Sequence, residues 1–456
     1  MKVQENRVKT NQPPRIIPRS EHIISRDNIS ENALKVLYRL KKAGYESYLV
    51  GGGVRDLLLG REPKDFDVAT DASPEEVRAL FRNCRLIGRR FRLAHVHFGR
   101  EIVEVATFRG QTPDDEARLQ DENGRLLRDN VYGTIEEDAW RRDFTINALY
   151  YNIRDFSVVD YVGGMEDLEA GCLRLIGDPE TRYREDPVRM LRVVRFATKL
   201  GFRIDPETEA PLFELGHLLD DISPSRLFDE TVKMFLAGNA LQTFEMLRHY
   251  DLFRHLFPQT EEVLAREEEG FPLTLVARAL ENTDLRVAEG KPVTPFFLYA
   301  ALLWEPVRSK ARDMVGEEGI SEQEALRIAA NLVISKQSRS TAIPRRFSLP
   351  MREIWEMQSR FEYRVGKRPL RLLTHPRFRA AYDFLLLRAQ CGEESEELAA
   401  WWTEFQEKGE DEQRAAIRPA GKKRRRRRRR RPRSQGEGGE AAPQGGETQG
   451  GGDTGE

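Results

Sequence analysis

The sequence predicts an α+β head of mixed sheet and helices, followed by an all-helical neck and body and a low-complexity tail. Three observations carry that prediction. Up to about residue 178, short alternating or glycine-bounded apolar segments interleave with helical ones. From about residue 179 the strand signal vanishes. Apolar residues then recur at helical spacing in EDPVRMLRVVRFATKLG, SPSRLFDETVKMFLAG, ALQTFEMLRHYDLF and PVTPFFLYAALLW, and on through Trp402. After Arg433 the chain is rich in Gly, Gln, Glu and Thr and nearly free of apolar residues. Such a segment buries too little surface to offset chain entropy, so disorder is expected there.

In chain order, residues 1–28 are polar, carry Pro13, Pro14 and Pro18, and read as a flexible leader. SENALKVLYRLKKAGY reads as a helix with Ser30 as N-cap, apolar Ala33, Val36, Leu37 and Leu40, and Gly44 as a stop. Tyr45–Val50 reads as a strand running into Gly51-Gly52-Gly53, VRDLLLG as a short helix ended by Gly60, and Lys64–Thr70 as a second strand. SPEEVRALFRNC is a helix with Ser73 as N-cap and Pro74 at its first position. RRFRLAHVHFG and REIVEVATFR alternate apolar and polar residues and read as paired strands turning near Gly99-Arg100. His95 and His97 alternate with apolar residues and read as structural. Residues 111–130 are polar and weakly patterned, which predicts a flexible loop with no assigned role. Helical patterning returns over Thr134–Leu149, and FSVVDYV is a further strand.

Composition excludes several classes. Charged residues make up 33 % of the 456, above the roughly 25 % of an average domain. No run approaches the ~18 apolar residues of a membrane span. The N-terminus has no apolar stretch of the secretory kind. Cys84, Cys172 and Cys391 stand too far apart for a C-x-x-C zinc site or a disulfide framework, which favours a reducing, cytoplasmic setting. The charge is split unevenly: residues 422–456 carry 11 Lys/Arg and 5 Asp/Glu, leaving residues 1–421 at a net −7 and the tail at +6. All 11 basic residues of the tail lie in Lys422–Arg433, a block that reads as a nucleic-acid arm or as a solvated linker.

Five constellations carry chemistry. Gly51-Gly52-Gly53-Val54-Arg55-Asp56 follows a strand. It is either an ordinary glycine turn or a loop whose N–H groups approach a phosphate, with Arg55 adding a charged contact. In Asp65-Phe66-Asp67, a strand would put both carboxylates on one face, where they repel unless a cation lies between them. Oxygen ligands of this kind suit Mg²⁺, which takes water and phosphate oxygens as its other ligands. The alternative is a solvated strand face, disfavoured by the glycine loop about a dozen residues upstream. Glu104, between Val103 and Val105, is either solvent-facing or a third metal ligand. Arg141-Arg142-Asp143-Phe144-Thr145-Ile146-Asn147 could hold a triphosphate or ribose, or form a surface ion-pair network. In REDPVRMLRVVRF, Asp186, Arg189, Arg192 and Arg195 are spaced by three on a helix opened by Pro187. That array could present an acceptor and a fork of donors to a base edge, or pack a basic face on acidic neighbours.

These motifs, in this order, resemble the nucleotidyltransferase superfamily with the DNA-polymerase-β-like fold, and more narrowly the class uniting bacterial poly(A) polymerases with CCA-adding tRNA nucleotidyltransferases. LVGGGVRDLLLG, DFDVAT, RRDFTINALYY, DYVGGMEDL and REDPVRMLRVVRFATKLGF carry the resemblance over about residues 49–201. CRLIGRRFRLAHVHFGREIVEVATFRG and the opening PRSEHIISRDNISENALKVLYRLKKAGYE look like the poly(A) polymerase branch. STAIPRR, GKRPLRLLTHPRFRAAYDFLLLRAQ and WWTEFQ extend that likeness to about residue 406, and no His-Asp hydrolase segment of some CCA-adding enzymes is found.

The resemblance implies a fold, a reaction and roles. A polymerase-β-like catalytic head would span 29–178, a neck with base recognition and RNA binding 179–238, an RNA-binding body 239–420, and an Arg-rich then Gly/Glu-rich tail 421–456. Asp65 and Asp67 would be catalytic carboxylates binding two Mg²⁺ ions, with Glu104 as the third carboxylate. Gly51, Gly52 and Arg55 would hold the triphosphate. Asp143, also catalytic, would complete the site with Arg142. Asp186 and Arg189, supported by Arg192, would read the adenine. The reaction would be template-independent, Mg-dependent transfer of AMP from ATP to RNA 3′ ends, adding tails that mark RNA for decay. Expected partners are RNA 3′ ends, ATP and RNA-decay machinery, with Lys422, Lys423, Arg424 and Arg425 on RNA and the chain monomeric. The alternatives are a CCA-adding enzyme, and a catalytically silent RNA-binding adaptor that intact Asp65, Asp67 and Glu104 argue against.

Overall fold

A computed structural model of the chain describes residues 13–88, 92–110, 118–120, 126–129, 131–267 and 274–417. The head is built on an eight-stranded sheet. Its strands are β1 (Arg15–Ile17), β2 (Ser47–Val50), β3 (Asp67–Thr70), β4 (Cys84–Ile87), β5 (Leu93–Phe98) and β6 (Glu101–Thr107). A separate pair, β7 (Arg118–Gln120) and β8 (Leu126–Asp129), precedes the last two sheet strands, β9 (Leu149–Asn152) and β10 (Val158–Asp160). The order across the sheet is β1-β10-β9-β2-β3-β6-β5-β4. Only the β3–β6 neighbours run parallel. That central parallel pair brings two carboxylate-bearing positions side by side.

Local signals place the first helices. In α1 (Glu31–Lys42) the Ser30 hydroxyl accepts from the Ala33 N–H, and Ala33, Val36, Leu37 and Leu40 are buried on one stripe. The short α2 (Gly52–Leu58) starts inside the glycine run rather than after it. In α3 (Pro74–Leu80), Ser73 and Glu76 close a reciprocal capping box behind Pro74. Thr134 and Glu137 do the same for α4 (Ile135–Arg141).

Four expectations need correction. The leader is not free from Arg15 onward: β1 adds an edge strand against β10, and Ile17 and Ile24 are fully covered. His22 helps pin it. Its Nδ1 accepts from the Ile24 N–H, so Nε2 carries the proton that is donated to the Phe156 carbonyl at 2.9 Å. Within 111–130, expected to be a loop, the described residues form the antiparallel ribbon β7–β8. The helix expected over Thr134–Leu149 stops at Arg141. Beyond it Thr145–Asn147 form a 3-10 turn with Phe144 and Ile146 buried, and Leu149, Tyr150 and Tyr151 of the following strand are buried, as suits a central strand. The strand expected over Lys64–Thr70 begins only at Asp67, so Asp65 lies just before it. β4 was not foreseen.

Further on, α5 (Gly164–Glu169) and β11 (Cys172–Leu173) lead into α6 (Pro179–Glu185) and the longer α7 (Val188–Leu200). A two-residue strand, β12 (Arg203–Ile204), then pairs with β11, a small departure from the all-helical expectation. All remaining described secondary structure is helical. One apolar core runs from Ile17 and Ile24 in the head through Leu191 and Val194 of α7 to Trp355 and Phe384 in the body. A second gathers Phe361, Phe378, Trp402 and Phe405 near the C-terminal end. Trp355 and Trp402 donate their indole N–H groups to the carbonyls of Ala300 (3.1 Å) and Phe361 (2.9 Å), which satisfies their polar atoms inside the core. No described helix is long and apolar enough to cross a membrane.

Candidate active site

The site grows from the parallel register of β3 and β6, which sets Asp67 directly beside Glu104. The same face of β5 places His95 opposite Glu104, its Nε2 at 3.2 Å from Oε1. Asp65, exposed just before β3, adds a further negative charge felt by Asp67. Burial, then the charges of Glu104 and Asp65, push the Asp67 carboxyl up to about 6, against the opposing pull of Arg142. Asp67, Glu104, Arg109 and Arg142 line a cavity of about 220 Å³.

Gly51, at the β2–α2 turn, lies beside two residues of this cavity, Asp67 and Arg142. It has φ 74 and ψ −143, a conformation open essentially to glycine alone. A methyl on its Cα would stand 3.6 Å from Asp67 Oδ2 and 3.8 Å from Arg142 Nη1, so backbone, carboxylate and guanidinium already converge. Gly52 opens α2 beneath it.

Arg142 is aimed by partners that sequence reasoning missed. Its Nε donates to Asp138 Oδ2 (3.1 Å) and to the Tyr150 hydroxyl (2.9 Å), and Nη2 reaches the same carboxylate at 3.0 Å. The Tyr150 hydroxyl donates to Asp138 at 2.7 Å. Burial works against the charge on Arg142, but Tyr150 and Asp138 outweigh it and hold the guanidinium fully charged. The i, i+4 spacing of Asp138 and Arg142 was visible; the cross-element Tyr150 was not.

A second network lies beside the first. Arg55, expected on the triphosphate, is only 2 % exposed. It donates to Asp56 (2.7 and 2.9 Å) and to Asn147 Oδ1 (2.7 Å), so in this structure it braces the turn instead of facing outward. Asn147 donates onward to Asp143 at 3.4 Å. Asp143, expected beside Arg142, is instead gripped by Arg192, whose Nε donates to Oδ2 at 2.7 Å and whose Nη2 reaches the same oxygen. Burial alone would raise the Asp143 pKa; Arg192, the Phe144 N–H and Asn147 bring it down to about 2.

The neck positions form a third group. Asp186, at the end of α6, accepts from Arg226 Nη2 at 2.7 Å. Arg189 Nη1 donates to the Arg182 carbonyl (2.6 Å) and to Glu185 (3.1 Å). Arg182 in turn donates to the carbonyls of Arg141 and Arg142 at 2.8 and 2.7 Å, which ties the neck to the end of α4. Burial and the charge of Arg189 lower its pKa to about 10. Lys422, Lys423, Arg424 and Arg425 lie outside the described residues.

The donor set at and beside Asp67 is carboxylate oxygen, and Asp65, Asp67 and Glu104 put negative charges close together, which suits Mg²⁺. Among the described residues no three His, Cys, Asp or Glu side chains converge as a ready-made metal cage. Mg²⁺ needs none, since it usually takes one or two carboxylates and fills its shell with water and substrate phosphates.

Comparisons with known proteins identify the chain's family. Residues 47–174 match the poly A polymerase head domain family, residues 201–264 the family described as a probable RNA and SrmB-binding site of polymerase A, and residues 318–435 the polymerase A arginine-rich C-terminus. The chain is 55 % identical to poly(A) polymerase I of Salmonella typhi over 88 % of each chain. It is 40 % identical to a CCA-adding enzyme of Lactobacillus helveticus over 47 % of this chain and 52 % of that one. Among solved structures, a tRNA-processing enzyme in an apo form shares the fold with a TM-score of 0.56 at 23 % identity, covering 84 % of this chain and 98 % of that chain. The similarity to poly(A) polymerase I thus runs nearly the full length, whereas that to the CCA-adding enzyme covers about half. The chain belongs to the bacterial poly(A) polymerase I family of nucleotidyltransferases.

Proposed function

We propose that the chain adds AMP from ATP, without a template, to the 3′-hydroxyl of RNA. The 3′-hydroxyl gives up its proton to solvent, the O3′–Pα bond forms, the bond from Pα to the bridging oxygen breaks, and pyrophosphate leaves with the displaced electron pair. The observation that carries this reading is the convergence of Asp67, Glu104 and Arg142 on one cavity, with Gly51 beside Asp67 and Arg142. Asp65, Asp67 and Glu104 would hold Mg²⁺, two ions per site, which would make the 3′-hydroxyl more acidic and neutralise charge on the leaving group. The chain's own residues supply position and charge. The Gly51-Gly52 backbone lets phosphate oxygens approach closely. Arg142, locked by Asp138 and Tyr150, presents fixed positive charge beside Asp67. The Asp56–Arg55–Asn147–Asp143–Arg192 chain braces the β2–α2 turn against α7. Asp186 and Arg189 offer an acceptor and donors to the base edge, and Arg192 keeps that helix in place through Asp143. RNA is taken by the neck and body, residues 201–264 among them, in a cytoplasmic setting where tailed RNA passes to decay machinery.

The test is nucleotide choice. Purified protein with Mg²⁺ and a short unstructured RNA is given each nucleoside triphosphate separately, and tRNA lacking its 3′ end serves as a second substrate. Long ladders with ATP alone are expected, and Asp65→Ala should abolish them. Three additions confined to tRNA and dependent on CTP would make it a CCA-adding enzyme. Undiminished adenylation by the Asp65 variant would remove the catalytic assignment.

A further inference from the structure

The C-terminal part of the body holds a cationic cavity far along the chain from the five chemical constellations described above, partly within the segment GKRPLRLLTHPRFRAAYDFLLLRAQ. It has a volume of about 330 Å³ and is lined by Gln323, Arg360, Tyr363, Arg368, Arg371 and His375. Tyr363 is 43 % exposed. The Arg368 guanidinium sits over its ring at 4.8 Å from the centroid. Arg368 and Arg371 are exposed, and neither has a carboxylate partner among the described residues. Arg360 has only a stretched pair with Glu356 at 4.0 Å. His375 Nδ1 is used internally, accepting from the Arg377 N–H at 3.1 Å, which leaves Nε2 as the protonated edge. Nearby Arg364, by contrast, is satisfied by Glu397 at 3.0 Å.

Other arginines of the body include several matched by acids at i±3 or i±4, as with Arg327 and Glu324 or Arg414 and Glu410. Here the charge is left uncompensated and is grouped around an exposed aromatic face. That combination is the chemistry of single-stranded nucleic acid: a π-face on which any base can stack, beside guanidinium forks for the flanking phosphates. The site contains no acceptor array that would select one base, which suits an RNA held without sequence preference.

The geometry points to a single-stranded RNA subsite here, with one base of the substrate stacked on Tyr363 and its neighbouring phosphates on Arg368, Arg371 and Arg360. This rests on the reading that RNA is the substrate, and it extends that contact to residues 360–375. The same chemistry would accept a free nucleotide, so both sources are compared. Binding of a fluorescent oligo(A) of about 12 nucleotides, long enough to span such a site, is measured against salt, alongside ATP binding. Tyr363→Ser should weaken oligo(A) binding roughly 5- to 100-fold, and Tyr363→Phe should retain it. Arg368→Gln and Arg371→Gln should each lower the salt slope by about 0.7 per lost phosphate contact. The KM for ATP at saturating primer should not move in any of them. Oligo(A) binding equal to that of the parent in Tyr363→Ser and in both arginine variants would overturn the subsite. Loss of ATP binding in parallel with loss of oligo(A) would overturn it too, by making the cavity a nucleotide site. Failure of the parent to extend RNA at all would count against the proposed function, a result separate from these.

Discussion

Asp143 remains ionised in a place that would by itself expel a charge. Its carboxyl lies at about 2 because Arg192 outweighs burial. The sign follows from the lowered value. The pair contributes stability that is fully present above about pH 4 and is lost as pH falls through about 2, and it is worth about 2 kcal/mol at neutral pH. In Arg192→Met the carboxylate stays buried without its main partner. We expect a loss of about 3 kcal/mol in urea unfolding at pH 7. With Arg192 gone, burial should push the Asp143 pKa above its usual range, so the gap between variant and parent should narrow by pH 4.5 as the variant takes up its proton. An equal gap at both pH values would show that Asp143 is not what Arg192 supports. The acids and bases of the site were legible as motif members, because Asp65, Asp67, Glu104, Arg142 and Arg192 occur in tight local patterns. Their partners were not. Asp143 to Arg192 spans 49 positions, Arg55 to Asn147 spans 92, and Asp186 to Arg226 spans 40. Pairings over such separations are made by the tertiary fold, and no periodicity in one sequence announces them.

At the scale of elements, the β2–α2 turn is where local backbone conformation and chemistry meet. Gly51 occupies a conformation that costs any residue with a Cβ about 1–3 kcal/mol. An added methyl at Gly51 would meet Asp67 and Arg142 only at ordinary contact distance, so backbone strain and not collision decides the outcome. Gly51→Ala should therefore fold, with stability lowered by about that amount. The turn should shift to relieve the strain, and the kcat/KM for ATP should drop about 100-fold, as misplacement of a positioning group by ~1 Å can do. A thermal melt and ATP titration separate the two effects; unchanged ATP kinetics would remove the turn from the triphosphate site. Capped elements were the legible ones: Ser30 and Ser73 each mark a helix start in both sequence and structure. The misread elements were those whose identity depends on a neighbour. β1 is a strand because β10 offers an edge, and Leu149–Asn152 is a strand because two others flank it.

Across the whole molecule, charge and stacking divide the work of holding RNA in ways that salt can separate. Residues 1–421 carry a net −7, so the folded part as a whole gains little from long-range attraction to phosphate. The block Lys422–Arg433 carries 11 basic residues and reverses that balance locally. Its attraction acts through the ion atmosphere and fades as the screening length shrinks from about 10 Å at 0.1 M salt. A base stacked on Tyr363 is a contact interaction and depends far less on salt. Deleting residues 422–456 should accordingly weaken oligo(A) binding at low salt and reduce the slope of log affinity against log salt by about 2 or more, equivalent to about three phosphate contacts on a single strand. Parent and truncated chain should converge as salt rises, while Tyr363→Ser should bind less tightly at every salt concentration. The KM for ATP should be unchanged by the deletion, since no motif around Asp67 includes the tail. An unaltered salt slope in the truncated chain would assign the tail no part in RNA binding and leave the electrostatic component to the arginines of the body.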